Sequence, residues 1–332
     1  IAYLREYGSA LLAERKLAAR VYREIGFDVI HGCNPPDLIY VVARRYQKKG
    51  VRYVFDHHDV CPELYEAKFG RKGLLYQSQL FFERQTFRHC QFAFATNESY
   101  RNVALTRGGM RPENVLVLRS GPNLERLRIQ PPTPSLRRGR RFLVSYVGVI
   151  GEQEGMPFLL AAADAIRRKR GRDDVAFGVV GGGPALDAAR ALCAKMGLDD
   201  MVTFTGRVPD DMLLAYLNTA DVCVNADAHN AMNDMSTMNK VLEYMALGKP
   251  IVQFDLKEGR VSAQDASLYA CPNDADDMAA KILELLDNEP LRRKMGAAGR
   301  CRIETELSWA HTSQALLKGY DRIFADIEAA KR

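Results

Sequence analysis

Residues 233–250 read Asn233-Asp234-Met235-Ser236-Thr237-Met238-Asn239-Lys240-Val241-Leu242-Glu243-Tyr244-Met245-Ala246-Leu247-Gly248-Lys249-Pro250, and the apolar run Pro250–Phe254 follows without a break. Asp234, Ser236 and Thr237 are residue types that cap helix starts, and Gly248-Lys249-Pro250 is a stop signal, so the pattern predicts a helix over Lys240–Leu247. A helix that stops on glycine and passes at once into a short apolar strand is one unit of parallel α/β architecture. Its N-terminus offers unpaired backbone N–H groups and a partial positive charge, which suits a diphosphate. Lys240 adds a full charge for the same phosphates. Glu243, three residues on, shares a neighbouring part of the helix face, where its carboxylate can accept hydrogen bonds from ribose hydroxyls.

Outward from this segment the same alternation fills the chain. In the second half, strands are expected at Phe142–Val149, Val175–Val180, Val202–Thr205 and Val222–Ala226. Helices are expected at Met156–Lys169, Pro184–Met196, Pro209–Asn218, Asp274–Asn288 and Pro290–Leu307. In the first half, Asp28–His31, Val51–Asp56, Phe92–Thr96 and Val115–Arg119 read as strands, with helices at Pro36–Lys49 and Gly73–Arg88. Gln130–Arg141 carries three prolines and several arginines without periodicity, the composition of a linker. The chain therefore reads as two doubly wound, Rossmann-like α/β domains, residues 1–129 and 142–308, joined through 130–141. Open α/β sheets bind ligands at strand C-terminal ends, so a cleft between the two sets of strand ends is the expected site.

Composition narrows the classes. The chain has 332 residues, 47% hydrophobic and 27% charged, enough for a core in each half. No run of about 18 apolar residues marks a membrane span. Seven single cysteines, with no Cys-x-x-Cys pair, argue against a disulfide framework or zinc site and for a reducing cytoplasm. Residues 1–130 hold 21 Lys and Arg against 13 Asp and Glu, whereas the whole chain is only +6. A basic first half can face anionic lipid headgroups or a phosphorylated acceptor, or be a solvated surface; no aromatic-interleaved basic stripe points to nucleic acid. Ile1 is not a start methionine, and the first residues resemble the middle of a helical region, so an upstream piece is expected.

Lys240–Val252 resembles the donor-binding helix of retaining glycosyltransferases of family 4, which have the GT-B fold. Glu243 matches the second glutamate of that family's pair, whose implied role is to hold the ribose. The first glutamate falls at position 235, where this chain has Met235; Asp234 is the neighbouring candidate to replace it. The Asn-Asp-x-Ser-Thr-Met-Asn-Lys version resembles a bacterial surface-polysaccharide subgroup in which Ser236 and Lys240 take over part of the phosphate contacts. Val147-Gly148-Val149-Ile150-Gly151 through Gly155 resembles the first strand-loop-helix of the donor domain, with Val149 and Glu154 where the family has arginine and lysine. Gly181-Gly182-Gly183-Pro184 resembles a Gly-x-Gly-Pro turn, and Val202–Arg207 with Pro209 the strand and loop near the base. Trp309 and the helix after it, residues 309–332, resemble the segment that crosses back to the first domain. The first strand and glycine-rich loop of the family's N-domain have no counterpart, which makes the first domain incomplete.

In the first half, Asp56-His57-His58-Asp59 follows an apolar strand and so stands at its C-terminal edge. The family commonly has a histidine here near the reacting sugar, and His58 matches it. Adjacent histidines on an extended segment point opposite ways, so one of the pair is structural and a metal reading is weak. Asn97-Glu98-Ser99 reads as a helix cap. His31, His89 and His311 have no partner spacing and read as structural, and the methionines at 232, 235, 238 and 245 as packing.

The resemblance implies sugar transfer with retention from a nucleoside-diphosphate sugar, a UDP-sugar favoured, to a glycan or lipid-linked acceptor. No metal or cofactor is expected. The implied donor contacts are Gly148, Gly151, Arg207, Asp234, Ser236, Thr237, Met238, Asn239, Lys240 and Glu243, with His58 and Asp59 at the reacting centre. Two alternatives stand beside this reading: a non-catalytic nucleotide-sugar-binding protein, and a GT-B-like epimerase using Asp59 and Glu63.

Overall fold

The computed structural model describes residues 2–332 and divides the chain into two compact units. The first comprises Ile1–Arg119 and Thr312–Arg332; the second is Ser120–His311.

The first unit holds a four-stranded parallel sheet in sequential order: β1 (Val29–Cys33), β2 (Arg52–His57), β3 (Phe92–Ala95) and β4 (Val115–Val117). Every residue of β3 is buried, as a parallel strand covered on both faces must be. The C-terminal helix Trp309–Lys331 supplies part of that cover: Ile323 and Ile327 pack with Val54, Phe92 and Phe94. Gly319 lets this helix approach so closely that a Cβ there would run into the Phe94 ring. Helices over Tyr40–Gln47 and Leu74–His89 fall inside or within a residue of their expected spans. The helix Cys61–Phe69 has no sequence counterpart in the reading above; its hydrophobic and polar residues are too evenly mixed to give a stripe.

The second unit contains six parallel strands: β5 (Phe142–Val147), β6 (Val175–Val180), β7 (Val202–Gly206), β8 (Val222–Asn225), β9 (Ile251–Phe254) and β10 (Ser267–Ala270). Their order is β10-β9-β8-β5-β6-β7. The chain enters at β5 in the middle, builds outward through β6 and β7, then returns to build β8, β9 and β10 on the other side. The reversal lies between β5 and β8, whose C-terminal ends therefore part to leave a crevice. β5, β6, β8 and β9 are buried along their whole length.

The segment expected as a linker is not one. Gln130 N–H donates to Asn218 Oδ1 (2.9 Å), Thr133 N–H to Thr219 Oγ1 (2.8 Å), and the Arg137 guanidinium forks onto Asp221 at 2.5 and 3.0 Å. Asp221 also accepts from Leu143 N–H, which ties the stretch to the start of β5. Prolines without periodicity look like a tether in sequence, but these polar contacts fasten it to the second unit, and the division falls between Arg119 and Ser120. Among the described residues no helix is long and apolar enough to cross a membrane.

Candidate functional site

The crevice between β5 and β8 in the second unit is where the sequence-marked residues concentrate. The helix that follows β8 and a one-turn helix, Ala231–Met235, runs over Asn239–Ala246, and no side chain caps its start. Its second residue, Lys240, is buried (9% exposed) and points to the end of β5. Lys240 Nζ donates to both oxygens of Asp227 (2.8 and 3.0 Å), to Glu154 Oε2 (2.9 Å), and lies 3.4 Å from the Tyr146 hydroxyl. Tyr146 Oη in turn donates to Val149 O at 3.0 Å. Asp227 comes two residues after β8, Glu154 from the loop after β5, and Tyr146 from β5 itself.

Burial works against the Lys240 charge, but the attraction of Asp227, then of Tyr146 and Glu154, holds the ammonium well above the usual lysine range. Burial pushes the Asp227 carboxyl up, and the nearby Glu154 carboxylate adds to that push. Glu154 also feels burial, yet Lys240 and its hydrogen bonds keep its carboxyl below the ordinary range.

Two glycines make this crowding feasible. Gly148, at φ +153°, closes β5, and a Cβ there would stand 2.9 Å from Tyr146 Oη and 3.3 Å from Lys240 Cε. Gly155, at φ +68°, sits so close to the carbonyl of Ala226 that any side chain would collide with backbone.

The other expected donor residues fall around this centre. Gly151 is buried at the turn before Glu154. Arg207 is exposed just after β7, two strands from β5, or roughly 10 Å at the usual strand spacing. Glu243 is half-buried beside the ion pair of Arg126 with Asp210 (2.8 and 3.1 Å); burial raises its carboxyl against the pull of Arg126. Ser236 Oγ donates to Met232 O, while Thr237 and Met238 are partly exposed and Asn239 exposed at the helix start. Asp234 stands apart from the cluster: its carboxylate accepts from Lys257 N–H (2.8 Å) and so caps the helix Lys257–Ala263. As placed, one oxygen of its carboxylate is engaged at that helix start. Asp234 lies inside the turn Ala231–Met235, which Asn230 caps, and only Ser236, Thr237 and Met238 lead from that turn into the Lys240 helix, none of them capping it by side chain.

In the first unit the ends of β1 and β2 form a second polar cluster. His58 Nε2 is 3.1 Å and His31 Nε2 3.2 Å from Asp56 Oδ2, and His31 Nδ1 is 2.7 Å from the Tyr320 hydroxyl. The hydrogen bond to Asp56, with a second to the Cys33 thiol, raises the His58 imidazole to about 10. Burial opposes the Asp56 charge, but the two histidines bring its carboxyl down to about 2. His57 turns the other way, fully buried among Phe55, Phe87 and Tyr100, and burial lowers it to about 3. Asp59 is half-buried, and burial raises its carboxyl. The carboxylate of Glu63 is taken by Arg107, which also forks onto the buried Glu83. Asn97 Oδ1 accepts from Tyr100 N–H as a helix cap.

Several participants escaped the sequence. His31 is a partner of Asp56, and Tyr320 reaches it from the far end of the chain. Buried Asn34 braces the polar loop, accepting from His58 and Asp59 N–H and donating to Asp59 O. Asp227 gave no spacing signal; its position two residues past β8 was the available clue. Among the described residues, no group of three or more His, Cys, Asp or Glu is arranged to hold a metal ion.

Residues 3–126 match the family described as Glycosyltransferase Family 4, and residues 141–288 the family described as Glycosyl transferases group 1. The first unit is thus similar to one glycosyltransferase family and the second to another, and the two units have the GT-B fold of the solved structures below. It is similar to the GDP-mannose-dependent alpha-(1-6)-phosphatidylinositol monomannoside mannosyltransferase of Mycobacterium tuberculosis, 32% identical over 177 residues, which cover 52% of this chain and 46% of the relative. It is also similar to the MMP alpha-(1->4)-mannosyltransferase of Mycolicibacterium hassiacum, 24% identical over 96% of this chain and 76% of that protein. The chain spans about half the length of the first curated relatives it matches. Among solved structures, sucrose-phosphate synthase from Thermosynechococcus elongatus superposes with a TM-score of 0.78 at 18% identity, covering 96% of this chain and 79% of that one. Anabaena HepE, solved with UDP, gives 0.75 at 16% identity, covering 92% and 81%. At these identities the likeness speaks to the fold alone.

Proposed function

We propose that the chain transfers a hexose from a nucleoside-diphosphate sugar to a glycan or lipid-linked acceptor in polysaccharide biosynthesis, with retention at the anomeric carbon. The observation that carries this reading is a lysine in the first turn of a helix without a side-chain cap, placed at the reversal point of a doubly wound sheet whose sequence matches a glycosyltransferase family. Backbone N–H groups there and Lys240 would stabilise charge on the departing diphosphate electrostatically, with no metal required. Glu243 would hold the ribose and the backbone beyond Arg207 the base. In the first unit, His58, kept protonated by Asp56, would orient a sugar hydroxyl or the acceptor, with Asp59 beside it. The leaving phosphate would accept the acceptor's proton during front-face attack.

UDP is the favoured donor nucleotide of this reading, and GDP its main rival, since one relative is named as GDP-mannose-dependent. Calorimetric titration of UDP, GDP and ADP into the wild type and Glu243→Ala tests it. Binding of one nucleotide, weakened at least about tenfold by the substitution, is the expected result, because a charged acceptor of hydrogen bonds is worth about 1.5–3 kcal/mol. A folded protein that binds none of the three sinks the reading. The non-catalytic alternative draws on the enclosure of Lys240 by carboxylates; nucleotide binding without turnover across an acceptor panel would favour it.

The site of action in this reading is the cytoplasmic face of the cell membrane, reached through the basic first unit. Exposed Phe69, Leu74, Leu75 and Phe81 stand beside Lys68, Arg71 and Lys72, a pairing suited to anionic lipid. Co-sedimentation with phosphatidylglycerol vesicles, but not with phosphatidylcholine vesicles, is the expected outcome.

A further inference from the structure

We propose that Glu154 is a place-holder anion: its carboxylate occupies the position on Lys240 that a donor phosphate takes, and donor binding displaces it. The inference rests on the reading of the β5/β8 crevice as the diphosphate site. Lys240 has two carboxylates where one would neutralise it, and the two are not equivalent. Asp227 grips the ammonium with both oxygens and its side chain is 1% exposed. Glu154 touches it through one oxygen at 2.9 Å and keeps 17% of its side chain in solvent. Asp227 thus grips Lys240 from the enclosed side, and Glu154 covers the side from which Lys240 can be reached.

The charges support exchange rather than addition. Glu154, its carboxyl held below the ordinary range, keeps a negative charge on the open side of Lys240, so a phosphate approaching from there meets repulsion unless that carboxylate moves. A phosphate oxygen forms the same kind of charge-assisted hydrogen bond to an ammonium as a carboxylate oxygen does, at the same distance. The backbone around Glu154 is fixed: the Gln153 carbonyl accepts from Asn233 Nδ2 (3.0 Å) and Ala228 N–H (3.3 Å), and Gly155 is pressed on Ala226. Exchange is therefore a rotation of the Glu154 side chain into solvent, with the loop in place.

The test is calorimetry of UDP and GDP, with uridine and guanosine as phosphate-free controls, on the wild type, Glu154→Gln and Glu154→Ala. Both substitutions are expected to tighten diphosphate binding by about tenfold, the scale of one removed like charge, and to leave nucleoside binding unchanged. The alanine variant ensures that a gain does not come from a new amide contact, and thermal melting of each variant verifies folding. If a diphosphate binds but folded variants bind it equally or more weakly, Glu154 is a bracket for Lys240 and the inference fails alone. If no diphosphate binds to any of the three proteins, the donor-site reading fails and takes the inference with it.

Discussion

In each unit a cation stands at the carboxyl end of a parallel sheet and leans on an aspartate, Lys240 on Asp227 and His58 on Asp56. The first pair is enclosed: Lys240 is 9% and Asp227 1% exposed by side chain. The second is open, with 40% of the His58 side chain and 18% of the Asp56 side chain in solvent. An enclosed pair must be complete, because either charge left alone has no water to turn to. An open pair can lose a member and be rehydrated. The same chemical motif thus holds a fold together in one unit and tunes a proton in the other.

The sharpest way to break this contrast is Lys240→Met, which leaves Asp227 and Glu154 facing each other. Urea unfolding should show a loss of about 3–5 kcal/mol, the usual cost of breaking a buried pair from one side. The double variant Lys240→Met/Asp227→Leu should recover much of that loss, which a requirement for the lysine stem alone would not allow. Next in size, Gly155→Ala should cost at least about 2 kcal/mol in the same assay, since a Cβ meets the Ala226 carbonyl at a positive φ. This change tests the packing that encloses the lysine without touching a charge.

On the open side, Asp56→Asn should cost less than about 1 kcal/mol, because solvent screens the pair. Its pH dependence has a definite sign. His58 is raised from 6.5 to about 10, so its share of stability is complete below pH 6.5 and fades as pH rises through about 10. Asp56 is lowered from 3.8 to about 2, so its share is present above pH 3.8 and is lost as pH falls through about 2. The melting difference between wild type and Asp56→Asn should therefore peak between about pH 4 and 6.5 and shrink toward pH 10. The smallest effect is purely spectroscopic: by nitrogen-15 NMR at pH 5, His57 should be neutral and His58 protonated, although they are adjacent in the chain. Identical titration of the two would erase the distinction between a histidine packed among aromatic rings and one paired with a carboxylate.

Much of the architecture was legible because parallel strands buried on both faces must be continuous apolar runs. All four strands of the first unit and β5, β6, β8 and β9 of the second appear in the sequence within two residues of their observed ends. The helix bearing Lys240 and Glu243 was legible because glycine and proline stop it. Misreadings arose where a local signal competed with a distant partner. Asp234 looks like a cap for the helix ahead of it but caps the one beginning at Lys257. Gln130–Arg141 looks like a tether but is anchored through Arg137 to Asp221, more than eighty positions away. His31, without neighbours of its own kind, is joined to Asp56 and to Tyr320, which is 289 positions distant.

By itself the sequence determined the alternation of strands and helices and the position of the helix bearing Lys240, because each depends on residue type and short spacing. Only the tertiary structure decided what charge those residues present. Lys240 reads as a free cation along the chain, and Asp227 and Glu154 lie 13 and 86 positions from it. The fold brings all three to one sheet crevice, where Coulomb interaction and lost hydration depend on distance in space, and turns a bare charge into an enclosed ion cluster.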